Sequence, residues 1–302
     1  MLLTSIIDAI IQINTKHLLM KIGVDVGGTN IRACLVKNQK IVKLKKVTLQ
    51  DKDNLQSTLK QIINLIRIVY DPEVSGIGIG VPSVVDLEKG IVHDVVNIPS
   101  WKELPLKDIL EKEFGVIVMI NNDVNCFILG EKHFGVAKDY SSIAGITIGT
   151  GIGAGLIIND KLYSGSNCGA GEIGYLPYLE HDFEYYCSSN FFKKIHHTTA
   201  YDTFLMAKKN DAGALKIWDE FGKHLGVALK SVMYAYDPDI IILGGSITNA
   251  YPYFKKQMSI SMSDTYFPKS LEKLKICQSE VENVSMLGAA SLVDETQEFI
   301  IN

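Results

Sequence analysis

Val24-Asp25-Val26-Gly27-Gly28-Thr29-Asn30 follows the apolar pair Ile22 and Gly23 and precedes the apolar residues 33–36. It reads as a strand, a glycine turn and a second strand. Two adjacent glycines let the backbone turn tightly and bring its N–H groups close to an anion, and Thr29 adds a hydroxyl donor. A phosphate fits such a turn. Asp25 then stands at the strand end facing that phosphate, where a carboxylate repels the anion unless a cation lies between them, which points to Mg²⁺ bridged by water. A plain hairpin is the competing reading of the same residues.

An echo downstream favours the phosphate. Ile148-Gly149-Thr150-Gly151-Ile152-Gly153-Ala154-Gly155-Leu156-Ile157-Ile158 also runs apolar strand, Gly/Thr turn, apolar strand. Laid on the first copy without a gap, it sets Ile148 on Val26, Gly149 on Gly27, and Ile157-Ile158 on Leu35-Val36. Each copy continues through a polar turn, Asn38-Gln39 and Asn159-Asp160, into a third short strand. A chain that builds the same turn twice is expected to present the two to each other as a clamp for a polyphosphate.

The 302 residues suffice for two domains with real cores, and a hydrophobic share of 47% is that of a globular protein. The net charge of -4 argues against a nucleic-acid surface. The longest basic run, residues 43–46, is broken by Leu44 and alternates like a solvated edge strand. Five cysteines (Cys34, Cys126, Cys168, Cys187 and Cys277) without C-x-x-C spacing fit neither a disulfide framework nor a cysteine zinc site, and suggest a reducing, cytoplasmic compartment. No apolar stretch reaches the ~18 residues that span a bilayer, so no membrane partner is expected.

Residues 1–19 carry apolar positions at helical spacing but lack the basic segment and cleavage site of a signal peptide. They read as an extension, either dispensable, through an upstream start codon, or a helix that packs on a partner. From Met20, three strands precede a helix with Leu55, Leu59, Ile62, Ile63, Ile66 and Val69 at the 3.6 period, stopped by Asp71-Pro72. Gly76-Ile77-Gly78-Ile79-Gly80-Val81-Pro82 alternates glycine with branched residues, as a buried strand does when something packs very close. It is no dinucleotide fingerprint, because Val81 stands where the last glycine belongs. A short helix over 106–114 leads to a strand over 116–120 that ends in Asn121-Asn122-Asp123. That is where α/β sheets put ligands. A helix from about Val124 leaves Asp123 at its N-terminal end, as a functional carboxylate or as a plain cap. The second half repeats the plan with strands from Ile143, helices over 214–236, the strand 240–243 closed by Gly244-Gly245-Ser246, and a helical tail.

Seven motifs then occur in order: Asp25-Val-Gly-Gly-Thr29-Asn30, Gly80-Val-Pro82, Asn97-Ile-Pro-Ser-Trp101, Asn122-Asp123-Val-Asn125, Gly149-Thr-Gly-Ile-Gly153, Ala170-Gly-Glu-Ile-Gly174 and Leu243-Gly-Gly245. Together, from about Met20 onward, they resemble the ROK family of sugar kinases and sugar-responsive repressors. The resemblance implies an α/β, actin/hexokinase-like ATPase fold of duplicated, ribonuclease H-like domains around a central cleft. The expected domains are 20–121 joined by the C-terminal helix 286–302, and 122–285, closing on sugar to exclude water.

The resemblance also implies roles. Asp123 matches the catalytic base that takes the proton of the sugar hydroxyl as it attacks the γ-phosphate of ATP. Asn97, Asn122 and Glu172 match ligands of sugar hydroxyls. Gly27, Gly28, Thr29, Thr150 and Gly151 match the phosphate loops, Gly244 and Gly245 lie near the adenosine, and Asp25 matches the acid associated with Mg²⁺. The expected activity is ATP-dependent phosphorylation of a hexose or N-acetylhexosamine at the 6-hydroxyl by a homodimer.

One departure stands out. Family kinases commonly follow Gly-Glu-x-Gly with a histidine and then a cysteine cluster that binds zinc. This chain has Tyr175 at the histidine position and only Cys187 near the cluster, so no zinc is expected. Tyr175 can still donate a hydrogen bond to sugar. Glu184, before Tyr185-Tyr186-Cys187-Ser188-Ser189, aligns with a further sugar-binding glutamate or is a surface acid. Arg32 reads as a phosphate partner or an exposed strand residue, Trp101 as a sugar-stacking ring or a core anchor, and Cys126 and Cys168 as oxidation-sensitive thiols or small filler. The alternatives to a kinase are a sugar-sensing regulator, whose DNA-binding helices nineteen residues cannot hold, and a nucleotide hydrolase, which needs no sugar ligands.

Overall fold

The computed structural model describes residues 20–300, with side chains to residue 295, so the reading of residues 1–19 lies outside the described residues. The chain forms two compact units. The first runs to Lys138, returns for Gly165–Cys168 and resumes at Val281; the second holds Asp139–Ser164 and Gly169–Glu280.

The first unit opens with β1 (Met20–Val26), β2 (Asn30–Lys37), β3 (Lys40–Thr48) and α1 (Leu55–Val69). It continues through β4 (Val74–Val81), β5 (Val85–Asp86), β6 (Ile91–His93), β7 (Glu103–Leu104), α2 (Leu106–Phe114), β8 (Ile117–Asn122) and α3 (Asp123–Phe134). Its main sheet has the order β3-β2-β1-β4-β8, with β1, β4 and β8 parallel and β2 and β3 antiparallel. The β2–β3 turn works because Asn38 and Gln39 both adopt positive φ, the twist-matched geometry of a two-residue hairpin. The lysines of the outer strand β3 are exposed, which blunts the sheet edge. On α1, Asn54 caps the first turn by accepting from the Ser57 N–H at 3.1 Å, and Leu59, Ile62, Leu65, Ile66 and Val69 are buried.

The second unit repeats the plan. Its elements are β9 (Ile143–Ile148), β10 (Ile152–Ile158), β11 (Lys161–Leu162), β12 (Pro177–Tyr178), β13 (His181–Asp182), α4 (Phe183–Cys187), α5 (Ala200–Ala207), α6 (Ala212–Tyr236), β14 (Ile240–Gly244), α7 (Tyr251–Ser263), α8 (Pro268–Lys273) and β15 (Lys275–Gln278). The sheet order β11-β10-β9-β14-β15 matches the first sheet strand for strand, and Asn159 and Asp160 repeat the positive-φ turn. The copies differ by one residue. Val26 pairs with Ile31 across the first turn, but Ile148 pairs with Ile152 across the second. The ungapped superposition therefore slips by one in the second arm: Ile152 stands on Ile31, Gly153 on Arg32 and Ile157 on Val36. The shorter turn is the cause.

The C-terminal helix (Val284–Ile300) belongs to the first unit and explains the glycine-rich strands. It lies on β1 and β4 so closely that a Cβ added at Gly78 would stand 1.7 Å from the Ala289 carbonyl oxygen, and one at Gly23 would stand 1.9 Å from that of Met286. The helix also crosses α3 backbone to backbone. A Cβ at Gly288 would meet the Cys126 carbonyl at 1.8 Å, and one at Gly130 the Val284 carbonyl at 2.2 Å. This contact holds α3 in the first unit, so the boundary falls after Lys138 and not after residue 121.

Replacing Gly78 by Ala is expected to destabilise the protein by at least the ~1–3 kcal/mol typical of overpacking, because the obstacle is backbone. Gly169→Ala, with nothing within 4 Å of its added Cβ, is the control that leaves the melting temperature in place. Equal melting temperatures for the two variants would contradict the packing described here.

Candidate active site

The candidate residues of the first unit gather at the ends of β1, β4 and β8. Gly27 to Thr29 form the β1–β2 turn, closed by a Gly27 N–H bond to the Asn30 carbonyl at 2.9 Å, with Thr29 exposed. Asp25 pairs across the hairpin with Arg32, whose Nε–H and terminal N–H both donate to Oδ2, the former at 2.9 Å. Arg32 is thus a partner of Asp25, a role that neither of its two readings named. Among the described residues Oδ1 of Asp25 has no such bond, so this partly buried carboxylate fits a Mg²⁺ held through water.

Asn97 comes to the same turn from a distant loop. Val95, Ile98 and Trp101 are buried and tie that loop down, with the Ile98 N–H donating to the Val95 carbonyl and the Trp101 N–H to that of Ile98, both at 2.9 Å. Asn97 between them is exposed, and its side chain covers Gly28: an added Cβ there would lie 2.5 Å from the Asn97 Cβ. Trp101 is a core anchor, fully buried, its Nε1–H donating to Thr58 Oγ1 at 2.9 Å.

At the end of β8 the helix cap is Asn122, not Asp123. Asn122 Oδ1 accepts from the Val124 N–H at 2.8 Å, and its amide N–H reaches the Ser83 carbonyl at 3.4 Å. Asp123 is the first helical residue of α3, where the helix dipole favours a carboxylate. Asn121 braces this corner, its Oδ1 accepting from the Asn122 N–H (2.8 Å), Asn125 Nδ2 (2.9 Å) and Cys168 Sγ (3.2 Å). Gly80 lets β4 approach, since its added Cβ would lie 3.4 Å from the Asp123 Cα. Burial pushes the Cys126 thiol well up, and the Asp123 and Asp25 carboxylates push it further. Asp25 stands opposite Gly80 in the β1–β4 register, so both acids border that glycine beside a buried thiol. Such a thiol is inert filler.

The second unit holds a matching set. Thr150 is exposed at the β9–β10 turn, which is closed by a Gly149 N–H bond to the Gly151 carbonyl at 2.9 Å. Gly244 ends β14 beside Thr147, and Gly245 takes φ of 90° where an added Cβ would meet the Ile148 carbonyl at 2.3 Å. The Ala170–Gly174 motif runs against β10: Gly171 (φ 92°) and Gly174 would place a Cβ 1.9 Å from the Ala154 carbonyl and 2.6 Å from that of Ile152. This fixes Glu172. The Glu184 carboxylate overlies Gly151, whose added Cβ would lie 2.5 Å from Oε2.

Burial raises the Glu172 carboxyl above its ordinary value. Burial, then Asp182 and Glu172, raise Glu184 against an opposing Ile152 N–H bond. The Tyr175 phenol is raised by Glu184 first, then by burial and Glu172, so these three side chains share one acidic neighbourhood. Tyr175 is 66% exposed.

The segment after Tyr175 is organised by aromatic packing. His181 stacks on Tyr185 at 3.9 Å, Tyr178 on Phe183 at 4.7 Å, and the Tyr178 hydroxyl meets His224 Nδ1 at 3.1 Å. Cys187 is buried beneath with its thiol pushed up by burial. A buried neutral thiol among rings is no zinc ligand set. Among the described residues no helix is long and apolar enough to cross a membrane.

Several known proteins are similar to this chain. The chain is 31% identical to a glucokinase from Thermotoga maritima, over 91% of this chain and 97% of that protein. It is 29% identical to a xylose repressor from Bacillus spizizenii, over 91% of this chain and 77% of the repressor. A ROK family glucokinase from Streptomyces griseus, solved in complex with glucose and AMPPNP, superposes with a TM-score of 0.78 at 23% identity, over 90% of this chain and 98% of that one. The fold is therefore the actin/hexokinase-like one of ROK sugar kinases. Residues 21–296 match the ROK family across both sheets and the C-terminal helix, and the chain belongs to that family.

Proposed function

We propose that the protein is a sugar kinase that transfers the γ-phosphoryl group of ATP to the 6-hydroxyl of a hexose or N-acetylhexosamine. The observation that carries this reading is that Asp25, opposite Gly80 in the β1–β4 register, and Asp123, whose Cα lies 3.4 Å from a Cβ added at Gly80, border the same glycine, and that Asn97 covers Gly28 in the turn after β1. Phosphoryl transfer needs a base on the acceptor and a charge-neutralising side on the donor.

In this reading Asp123 accepts the proton of the attacking hydroxyl as the new oxygen–phosphorus bond forms and the bond to the leaving ADP breaks. A neutral alcohol is a poor nucleophile, and a positioned base contributes about 10²–10⁴-fold. Asn97 and Glu172 grip sugar hydroxyls with Glu184 and Tyr175, while Asn122 serves through the cap that fixes Asp123. Gly27, Gly28, Thr29, Thr150 and Gly151 offer N–H and hydroxyl donors to phosphates, and Gly244 and Gly245 leave room for adenosine. Asp25 would hold Mg²⁺ through water, an ion that neutralises phosphate charge. The reading extends to a cytoplasmic homodimer, supported by the family resemblance and by the absence of disulfides among the cysteines.

Similarity to the Bacillus repressor favours one second reading, a regulator that binds sugar without phosphorylating it. An Asp123→Asn variant separates the two. Turnover should fall by about 10²–10⁴-fold while the calorimetric sugar affinity stays within about threefold; near wild-type turnover would remove Asp123 as the base.

Glu172→Gln probes the acceptor side. Because burial raises its folded pKa, ionised Glu172 costs stability that is present below the unfolded value and lost as pH rises through the folded one. The glutamine variant should therefore melt no lower than wild type at pH 7.5 while its sugar affinity drops at least about tenfold, one lost charge-assisted hydrogen bond. Wild-type sugar affinity should weaken on acidification at a pH above the ordinary glutamate range. A variant that melts lower and binds sugar normally would make Glu172 a structural residue.

A further inference from the structure

The loop that joins β3 to α1 carries a cation to the first glycine turn. The Leu49 N–H donates to the Thr29 carbonyl at 2.9 Å and ties the end of the strand to the turn. Three residues on, the Lys52 ammonium donates to the Gly28 carbonyl. The Lys52 carbonyl in turn accepts from the Ser100 N–H at 3.2 Å, joining it to the loop that presents Asn97. Lys52 therefore touches both the phosphate turn and the candidate sugar loop.

Its charge is not spent. Arg32, the other cation at this hairpin, pairs with Asp25 through its Nε–H and one terminal N–H. The neighbouring Asp51 accepts from the Ser57 hydroxyl at 3.2 Å. Among the described residues Lys52 has no carboxylate partner, and its side chain is half-buried against the turn. An ammonium has three donors and one is on Gly28, which leaves two for an anion beside the turn. Lysine serves phosphate as a compact point charge. A lysine that served only as a latch would gain more from a carboxylate than from a carbonyl.

We infer that Lys52 binds the phosphoryl group that is transferred, as the terminal phosphate of the nucleotide before the reaction and on the sugar afterwards. The inference rests on the kinase reading for the identity of the anion, yet its test needs no turnover. Binding of Mg·AMPPNP, Mg·ADP and a sugar substrate would be measured by calorimetry on wild type, Lys52→Met and Lys52→Arg, alongside melting curves. The expected result is a loss of about tenfold or more in AMPPNP affinity for Lys52→Met, consistent with one charge-assisted contact. ADP and sugar affinities should stay within about threefold, and Lys52→Arg should recover most of the loss. Unchanged AMPPNP affinity in Lys52→Met would overturn the inference, and so would a parallel loss of sugar affinity and melting temperature that arginine does not rescue. Wild type that binds no AMPPNP would overturn this inference together with the kinase reading, whereas binding without sugar-dependent turnover would overturn the kinase reading alone.

Discussion

The first unit depends on a helix that lies on bare backbone. Wherever the C-terminal helix crosses β1, β4 and α3, one partner offers a glycine, and carbonyl oxygens occupy the space a Cβ would need. Close-packed interiors transmit small displacements instead of absorbing them. Moving this helix outward by the width of a methyl group would therefore shift the ends of β1 and β4 and the start of α3. Those ends carry Asp25, Gly80 and Asp123.

On that frame the chain builds one sheet plan twice and gives each copy different chemistry. The first turn is a residue longer and sits beside an Asp–Arg pair; the second is shorter, with Thr147 and Gly153 at the corresponding positions. The first unit thus concentrates charge: Asp25 with Arg32, Asp123 at a helix N-terminus, and Lys52 on the turn. The second concentrates acid and aromatic surface, with Glu172 and Tyr175 exposed, Glu184 half-buried, and the two acids raising the Tyr175 phenol.

Much of this was legible in the sequence, for identifiable reasons. The hairpins, α1 and α2 follow from period and punctuation, and the glycine alternation at 76–80 announced a close neighbour. It could not say which, because the helix that fills the space lies far along the chain. That the cap is Asn122 and not Asp123 needed the φ, ψ angles of Asn122 and its 2.8 Å bond to Val124. Trp101 needed Thr58, and Arg32 needed the register that sets it opposite Asp25. Lys52 left no signal, since a loop lysine looks the same whether it faces solvent or a phosphate turn. The short helices α4, α5 and α8 and the edge strand β15 also went unread, because brief segments have no clean period.

The central claim is that this arrangement performs phosphoryl transfer to a sugar. Its most direct test is ADP release by the purified full chain with Mg·ATP against glucose, mannose, fructose, N-acetylglucosamine, N-acetylmannosamine and no sugar. The account predicts ADP release that depends on one or two of these sugars. Release independent of sugar, or sugar binding by calorimetry with no release at all, would contradict it.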